Sequence, residues 1–213
     1  MILADTYLYR IIHIRNLEYI LRQGVLTNKF SPDANPEYLG IGETDLIVKR
    51  ENQSIFTVDG ENEYNPSRDY LPFYFYPKSI MLYRIQTGHN VMKYEPEDII
   101  YLIYKLDNII DYVEYLFTDG HGYASLTSWY EDIENLLILD RSDIVRKQWN
   151  NTADDPDRMR RKQAEFWVKQ PLDLDLMAGI ATYSDEMTEK VKKISDFYQK
   201  DLKVKTKPNF YYK

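Results

Sequence analysis

Asp69-Tyr70-Leu71-Pro72-Phe73-Tyr74-Phe75-Tyr76-Pro77-Lys78-Ser79-Ile80-Met81-Leu82-Tyr83 places six aromatic residues and two prolines in fifteen positions, a density that ordinary strands do not carry. Tyr70 to Tyr76 reads as a strand, because aromatic side chains fit a pleated, half-buried surface. Side chains alternate along a strand, so about half of these aromatics face the core whatever the function. Pro72 lacks a backbone N–H, which predicts an edge strand or a bulge. Ser79 is a helix N-cap, and the helix it opens is expected to end near Gly88.

Outward from this stretch, strands and helices alternate irregularly. Tyr7 to Ile12 reads as a strand, followed by an amphipathic helix from about Arg15 to Gln23 with Leu17, Ile20 and Leu21 on one face and Gly24 as its stop. Residues 27–45 carry the turn chemistry of a long loop, and Thr44 or Asp45 caps a short helix running through Lys49 and Arg50. Asn52 to Arg68 is polar, with a turn at Asn65-Pro66. Ile99 to Leu106 and Tyr115 to Thr118 are apolar enough for buried strands, and Leu126 to Ile138 is predicted to be helical. Asp154-Asp155-Pro156 starts a helix that leads into Arg158 to Lys162. Phe166 and Val168, then Ile180 and Tyr183, suggest two more strands before a final helix from Ser184 to about Gln199. This mixture predicts an α+β fold rather than a doubly wound sheet.

Composition narrows the function. The chain of 213 residues is most simply one domain, and 44% hydrophobic with 29% charged residues is globular. No apolar run reaches membrane-spanning length. Met1-Ile2-Leu3-Ala4-Asp5 lacks the basic start and apolar core of a signal peptide, so the chain is expected to stay in the cytoplasm. Zero cysteines removes disulfides, thiol nucleophiles and thiolate metal sites, and with only His13, His89 and His121 no metal site is expected. No glycine-rich phosphate loop is present, so a dinucleotide would not bind through a Rossmann fold.

The net charge of -7 is unevenly distributed. Arg158, Arg160, Arg161, Lys162 and Lys169 face a single carboxylate, Glu165, across residues 158–169, and eight lysines face Asp196 and Asp201 across residues 190–213. Such polarity permits phosphate contacts on one side of an acidic protein, and a solvated helix face explains it equally well.

Read singly, the candidate chemical groups are ordinary. Glu165, in Lys162-Gln163-Ala164-Glu165-Phe166-Trp167, reads as a solvent-facing helix glutamate. Arg50 reads as a charge at a helix C-terminus. His121, in Phe117-Thr118-Asp119-Gly120-His121-Gly122, lies in a turn after a strand, where functional side chains are common. His13 reads as a strand-end residue whose imidazole satisfies backbone groups.

Together, and in order, these motifs resemble the DarT family, toxins that transfer ADP-ribose from NAD+ onto a base of DNA. Tyr9-Arg10-Ile11-Ile12-His13-Ile14-Arg15-Asn16-Leu17 resembles the family's opening strand and helix. Ile41-Gly42 followed by Asp45-Leu46-Ile47-Val48-Lys49-Arg50 resembles its arginine segment. The aromatic stretch with Met81 comes next, then Phe117-Thr118-Asp119-Gly120-His121, then Gln163-Ala164-Glu165 with the catalytic glutamate. The resemblance runs from about Tyr7 to Tyr212.

The resemblance implies one ADP-ribosyltransferase-like domain over residues 1–213, with a central mixed or antiparallel sheet and flanking helices. It implies NAD+ as co-substrate, Glu165 as the carboxylate that stabilises an oxocarbenium-like ribose, and Arg50 and His121 on the acceptor side. Arg10, His13, Tyr74 and Met81 become walls of the NAD+ pocket. Arg158, Arg160, Arg161 and Lys162 become phosphate contacts, with Tyr70, Tyr76 and Tyr83 as stacking platforms for unstacked bases. The implied partners are single-stranded DNA, with thymidine as acceptor, and an antitoxin of the DarG type whose macrodomain removes the ADP-ribose, in a bacterial cytoplasm. Guanine, RNA or protein as acceptor, a catalytically silent nucleic-acid-binding module, and a small protein-interaction domain are the alternatives.

Overall fold

A computed structural model of the chain describes residues 5–212. Met1–Ala4, on which the expectation about a leader rests, and Lys213 of the C-terminal basic stretch lie outside the described residues.

The elements in chain order are β1 (Tyr7–His13), α1 (Leu17–Gln23), β2 (Val25–Leu26), α2 (Thr44–Arg50), β3 (Ile55–Phe56), β4 (Glu63–Tyr64), α3 (Pro66–Asp69), β5 (Tyr70–Tyr74) and α4 (Ile80–Thr87). They continue with β6 (Ile99–Lys105), β7 (Tyr115–Thr118), β8 (Trp129–Tyr130), α5 (Arg141–Val145), α6 (Arg158–Arg161), β9 (Glu165–Lys169), β10 (Leu172–Asp173), β11 (Met177–Thr182), α7 (Asp185–Phe197) and β12 (Val204–Thr206). Eight strands form one sheet in the order β12-β11-β6-β1-β5-β9-β7-β8. The β11–β12 pair is parallel and the others are antiparallel, which gives the mixed α+β architecture expected from the sequence.

β5 occupies the interior of this sheet, not its edge. In an antiparallel ladder the N–H and C=O of one residue project to the same side. The Pro72 carbonyl faces β1, where it accepts a 2.8 Å hydrogen bond from Arg10 Nη1. Its missing donor therefore also faces β1, along a pairing reduced to the single bridge Tyr9↔Tyr74. The two strands diverge there, and a side chain fills the gap that proline leaves in the ladder.

Alternation sorts the sheet into two faces. Leu8, Ile12, Leu71, Phe73, Leu102, Phe166 and Val168 join α1 and α7 in the main core. The stacked rings of Phe117 and Phe166 hold β7 to β9 within it, and each such burial contributes about 1.5–3 kcal/mol. The other face carries Tyr9, Tyr74 and Glu165, paired by Tyr9↔Tyr74 and Tyr74↔Glu165, and is flanked by α4 through Leu82 and Ile85. α4 starts where Ser79 Oγ accepts from Leu82 N at 3.1 Å and stops at Gly88 with φ 74°, as its sequence predicts.

The helix predicted for residues 126–138 is replaced by β8 and a 3-10 helix, Ile133–Ile138. Trp129 is 5% exposed and packs its ring 5.4 Å from that of Trp167, while the β8 backbone pairs with Thr118 and Phe117. Partners far along the chain override the local apolar periodicity. Among the described residues, no helix is long and apolar enough to cross a membrane.

Candidate active site

Glu165 opens β9 rather than lying on a helix, and it is 2% exposed. The β7–β9 ladder runs to Phe117↔Phe166, and the Thr118 hydroxyl extends it by accepting from Glu165 N at 2.9 Å and donating to Gly120 O at 2.7 Å. That pair of bonds fixes both the Glu165 backbone and the turn that follows β7. Glu165 Oε2 accepts from Gly122 N at 3.1 Å. A Cβ on Gly122 would lie 2.6 Å from this oxygen, so the approach requires glycine.

Arg50, the last residue of α2, points its guanidinium at the same carboxylate, with Nη2 at 3.3 Å from Oε2 and 3.4 Å from Oε1. The guanidinium lies over the Trp167 ring at 5.6 Å and sits 3.2 Å from His121 Nε2. Because arginine only donates, Nε2 is the acceptor, which assigns His121 as the neutral tautomer with its proton on Nδ1. Burial is the main cause that lowers the His121 pKa, with Arg50 and Arg84 adding to it and Glu165 opposing. Tyr74 faces Glu165 across the β5–β9 pair, and its hydroxyl is pushed up by burial first and by that carboxylate second.

The structure thus brings Glu165, Arg50, His121 and Tyr74 together. His13 shares their face of the sheet; it is 4% exposed, its Nδ1 accepts from Arg15 N at 3.1 Å, and its ring meets Tyr94 edge-on. Met81 is partly buried against the apolar cluster of Leu82, Ile85 and Tyr101, on which Tyr94 also packs. Arg10 does not join them: it alternates onto the opposite face with Leu8 and Ile12, and its guanidinium bridges to Pro72.

The basic stretch is folded into the molecule. Arg158 pairs with Asp155, and Arg161 with Asp143 and Asp155. Arg160 binds Asp157 and reaches back to Asp119 at 2.6 Å, while its carbonyl accepts from His121 N at 3.0 Å. Arg160 therefore ties α6 to the turn that presents His121 and Gly122. Lys162 is 5% exposed, donates to Ile144 O, and has its pKa lowered to about 8 by burial. Of the proposed stacking tyrosines, Tyr70 is buried with Trp129 and Trp167, Tyr76 lies under Lys162, and Tyr83 is 38% exposed.

Sequence reasoning passed over Thr118, Gly122 and Trp167. Period-two alternation from Glu165 places Trp167 on the same face, which is the signal that was available.

Gly122→Ala is expected to lower turnover on the order of 10²-fold, since a displacement near 1 Å at the reacting group suffices for such a loss; steady-state kinetics beside an unchanged circular dichroism spectrum checks it. His121 has a folded pKa below its unfolded value of 6.5. Its neutral form stabilises the fold above that value, and the stability is lost as pH falls below it. Turnover is accordingly expected to be flat above about pH 6.5 and to fall on the acid side, and the acid limb is expected to flatten in His121→Asn; a pH–rate profile of both proteins checks this.

Residues 9–212 match the family model described as "DarT: ssDNA thymidine ADP-ribosyltransferase, DarT". This chain belongs to the DarT family. Membership makes it an NAD+-dependent DNA ADP-ribosyltransferase. A DNA ADP-ribosyl transferase of Thermus sp. (strain 2.9) is 34% identical over 89% of this chain and 87% of its own. One of Escherichia coli O127:H6 is 32% identical over 84% of this chain and 81% of its own. The solved structure of Thermus sp. 2.9 DarT in complex with ADP-ribosylated ssDNA superposes with a TM-score of 0.85 at 31% identity, covering 97% of this chain and 96% of that one; the same protein is also solved with NAD+. A DNA ADP-ribosyl transferase-DNA ADP-ribosyl glycohydrolase fusion protein of Thermosipho africanus is 24% identical over 96% of this chain and 49% of its own.

Proposed function

We propose that this DarT-family chain, acting as one domain over residues 1–213, transfers ADP-ribose from NAD+ to a thymine of single-stranded DNA and serves as the toxin of a toxin–antitoxin pair in the bacterial cytoplasm. The observation that carries this reading is the cluster itself: a buried carboxylate within 3.4 Å of a guanidinium that lies 3.2 Å from a neutral imidazole, with Tyr74 alongside.

In the reaction the bond between nicotinamide and the ribose anomeric carbon breaks, its electron pair leaves with nicotinamide, and a ring nitrogen of the base attacks that carbon while losing its proton. Positive charge develops on the ribose in the transition state. The Glu165 carboxylate, fixed by Gly122 N–H and Arg50, stabilises that charge more than it stabilises the ground state. Tyr74, His13 and Met81 bound the nicotinamide side. Arg50 remains protonated, so it stabilises negative charge developing on the base rather than removing its proton. His121 is neutral with Nε2 as an acceptor, which suits it to orient the base and take up the proton. Arg158 and Arg161 are the partly exposed cations of the basic stretch that can still meet phosphate.

The Thermosipho fusion, whose name joins a transferase to a glycohydrolase, supports a partner that removes the modification. The test is the intact mass of single-stranded oligonucleotides differing in one base type, incubated with protein and NAD+. Gain of one ADP-ribose on thymine-containing strands alone is the expected result; gain on guanine strands alone would replace the acceptor, and normal growth of bacteria expressing the chain without an antitoxin would count against the toxin role.

A further inference from the structure

A second cation, Arg84, pairs across the two helices α2 and α4. Arg84 lies in the last turn of α4, one helical step from Met81 and therefore on the same side of that helix. Its guanidinium makes an ion pair with Glu43, and both side chains remain partly exposed, at 29% and 25%. Glu43 holds the N-cap position of α2, the helix that ends in Arg50, yet its carboxylate makes no capping bond because it is turned to Arg84. Ile41, two residues earlier, is buried against Leu82 and Ile85 of α4, which holds this strap over the helix. α2 joins the pair to the chemistry, since Glu43 precedes its first residue and Arg50, its last, meets Glu165, and the charges of Arg84 and Glu43 bear on His121.

We propose that Arg84 is the phosphate anchor of this site. On substrate binding its guanidinium exchanges the Glu43 carboxylate for a phosphate oxygen, and the freed carboxylate turns back to the α2 N-terminus beside the backbone N–H groups it now leaves uncapped. The chemistry fits. A guanidinium presents a planar fork that matches a phosphate as well as a carboxylate, and a partly exposed ion pair is weak enough to be exchanged. A carboxylate at a helix N-terminus is also favourably placed against the helix dipole, so Glu43 has a second resting place. Both substrates of the proposed reaction carry the required group, NAD+ as a pyrophosphate and DNA as a phosphodiester. This inference rests on the reading that the two meet at Glu165.

The experiment measures KM for NAD+ at saturating thymine oligonucleotide and KM for the oligonucleotide at saturating NAD+, in the unaltered protein, Arg84→Ala and Glu43→Gln. Arg84→Ala is expected to raise one KM at least about tenfold, the change that loss of a charge-assisted hydrogen bond produces, with kcat at saturation little altered. Glu43→Gln is expected to lower the same KM, because the competing carboxylate is gone. The KM that moves identifies the source of the phosphate, and for DNA the slope of affinity against salt also becomes shallower in Arg84→Ala. Opposite shifts in the two variants separate this role from a brace for α2, since breaking a brace from either end gives the same direction. Both KM values within twofold of the unaltered protein in Arg84→Ala, or parallel rises in both variants, would overturn the anchor while leaving the transferase reading intact. Absence of transfer by the unaltered protein would overturn that reading and the anchor with it.

Discussion

Glu165→Gln is expected to reduce ADP-ribose transfer by about 10³-fold while leaving a folded protein, the order of loss seen when a preorganised electrostatic group is removed from a reacting centre. The substitution keeps the shape of the side chain and an oxygen able to accept from Gly122 N–H and from Arg50, so the contact at 3.1 Å survives as a neutral hydrogen bond and the one at 3.3 Å as a hydrogen bond from a cation to a neutral oxygen. What disappears is the negative charge that the proposed mechanism sets against positive charge on the ribose. Because the difference acts on the transition state, kcat is expected to carry the loss and KM for NAD+ to change little. Single-turnover transfer measured by quench, together with a melting temperature within a few degrees of the unaltered protein, checks both halves of the expectation.

Arg50→Ala is expected to be the most destabilising change in the site. It leaves the Glu165 side chain, 3% exposed, with a single backbone N–H as its partner. Breaking a buried pair from one side costs about 3–5 kcal/mol, because the surviving charge stays buried without compensation or must take up a proton. The neighbouring Trp167 ring loses its cation and His121 loses the donor on Nε2 as well. The double variant Arg50→Ala with Glu165→Gln removes the stranded charge, so it is expected to be more stable than Arg50→Ala alone; urea unfolding of the three proteins measures this coupling. A purely additive result would mean that the pair does not carry the stability of the site. Arg50→Lys is expected to restore part of the stability and little of the activity, since a point charge does not reproduce a fork that spans both carboxylate oxygens and His121.

Local features of the fold were legible where one residue determines a backbone state. Gly24 and Gly88 stop α1 and α4 at φ 75° and 74°, and Ser79 and Ser184 cap α4 and α7 through their hydroxyls, as their positions in the sequence indicate. Features set by distant partners were not. Trp129 lies in an apolar periodic stretch that reads as helix, and only the Trp167 ring and the β7 edge, both remote in sequence, make it a strand. Pro72 reads as an edge signal because the Arg10 side chain that substitutes for the ladder is 62 positions away. The same holds for the site. Arg50, His121 and Glu165 were identifiable only as an ordered set of motifs, since each is unremarkable beside its sequence neighbours. The basic run at residues 158–162 reads as a phosphate surface when taken alone, because its carboxylate partners lie outside it: Asp155 and Asp157 just upstream, and Asp119 and Asp143 at 41 and 18 positions from Arg160 and Arg161. Charge runs report composition, whereas their role depends on what the fold sets against them.

If the carboxylate held between Gly122 and Arg50 is the group that meets the ribose of NAD+, a crystal structure of Glu165→Gln with NAD+ bound will show it. The nicotinamide-bearing ribose is expected against residue 165, with its anomeric carbon and 2'-hydroxyl within about 3–3.5 Å of that side chain, nicotinamide beside Tyr74, and Arg50 and His121 open to the opposite side of the ribose. NAD+ bound with its ribose away from residue 165, or on the Arg10 face of the sheet, would contradict it.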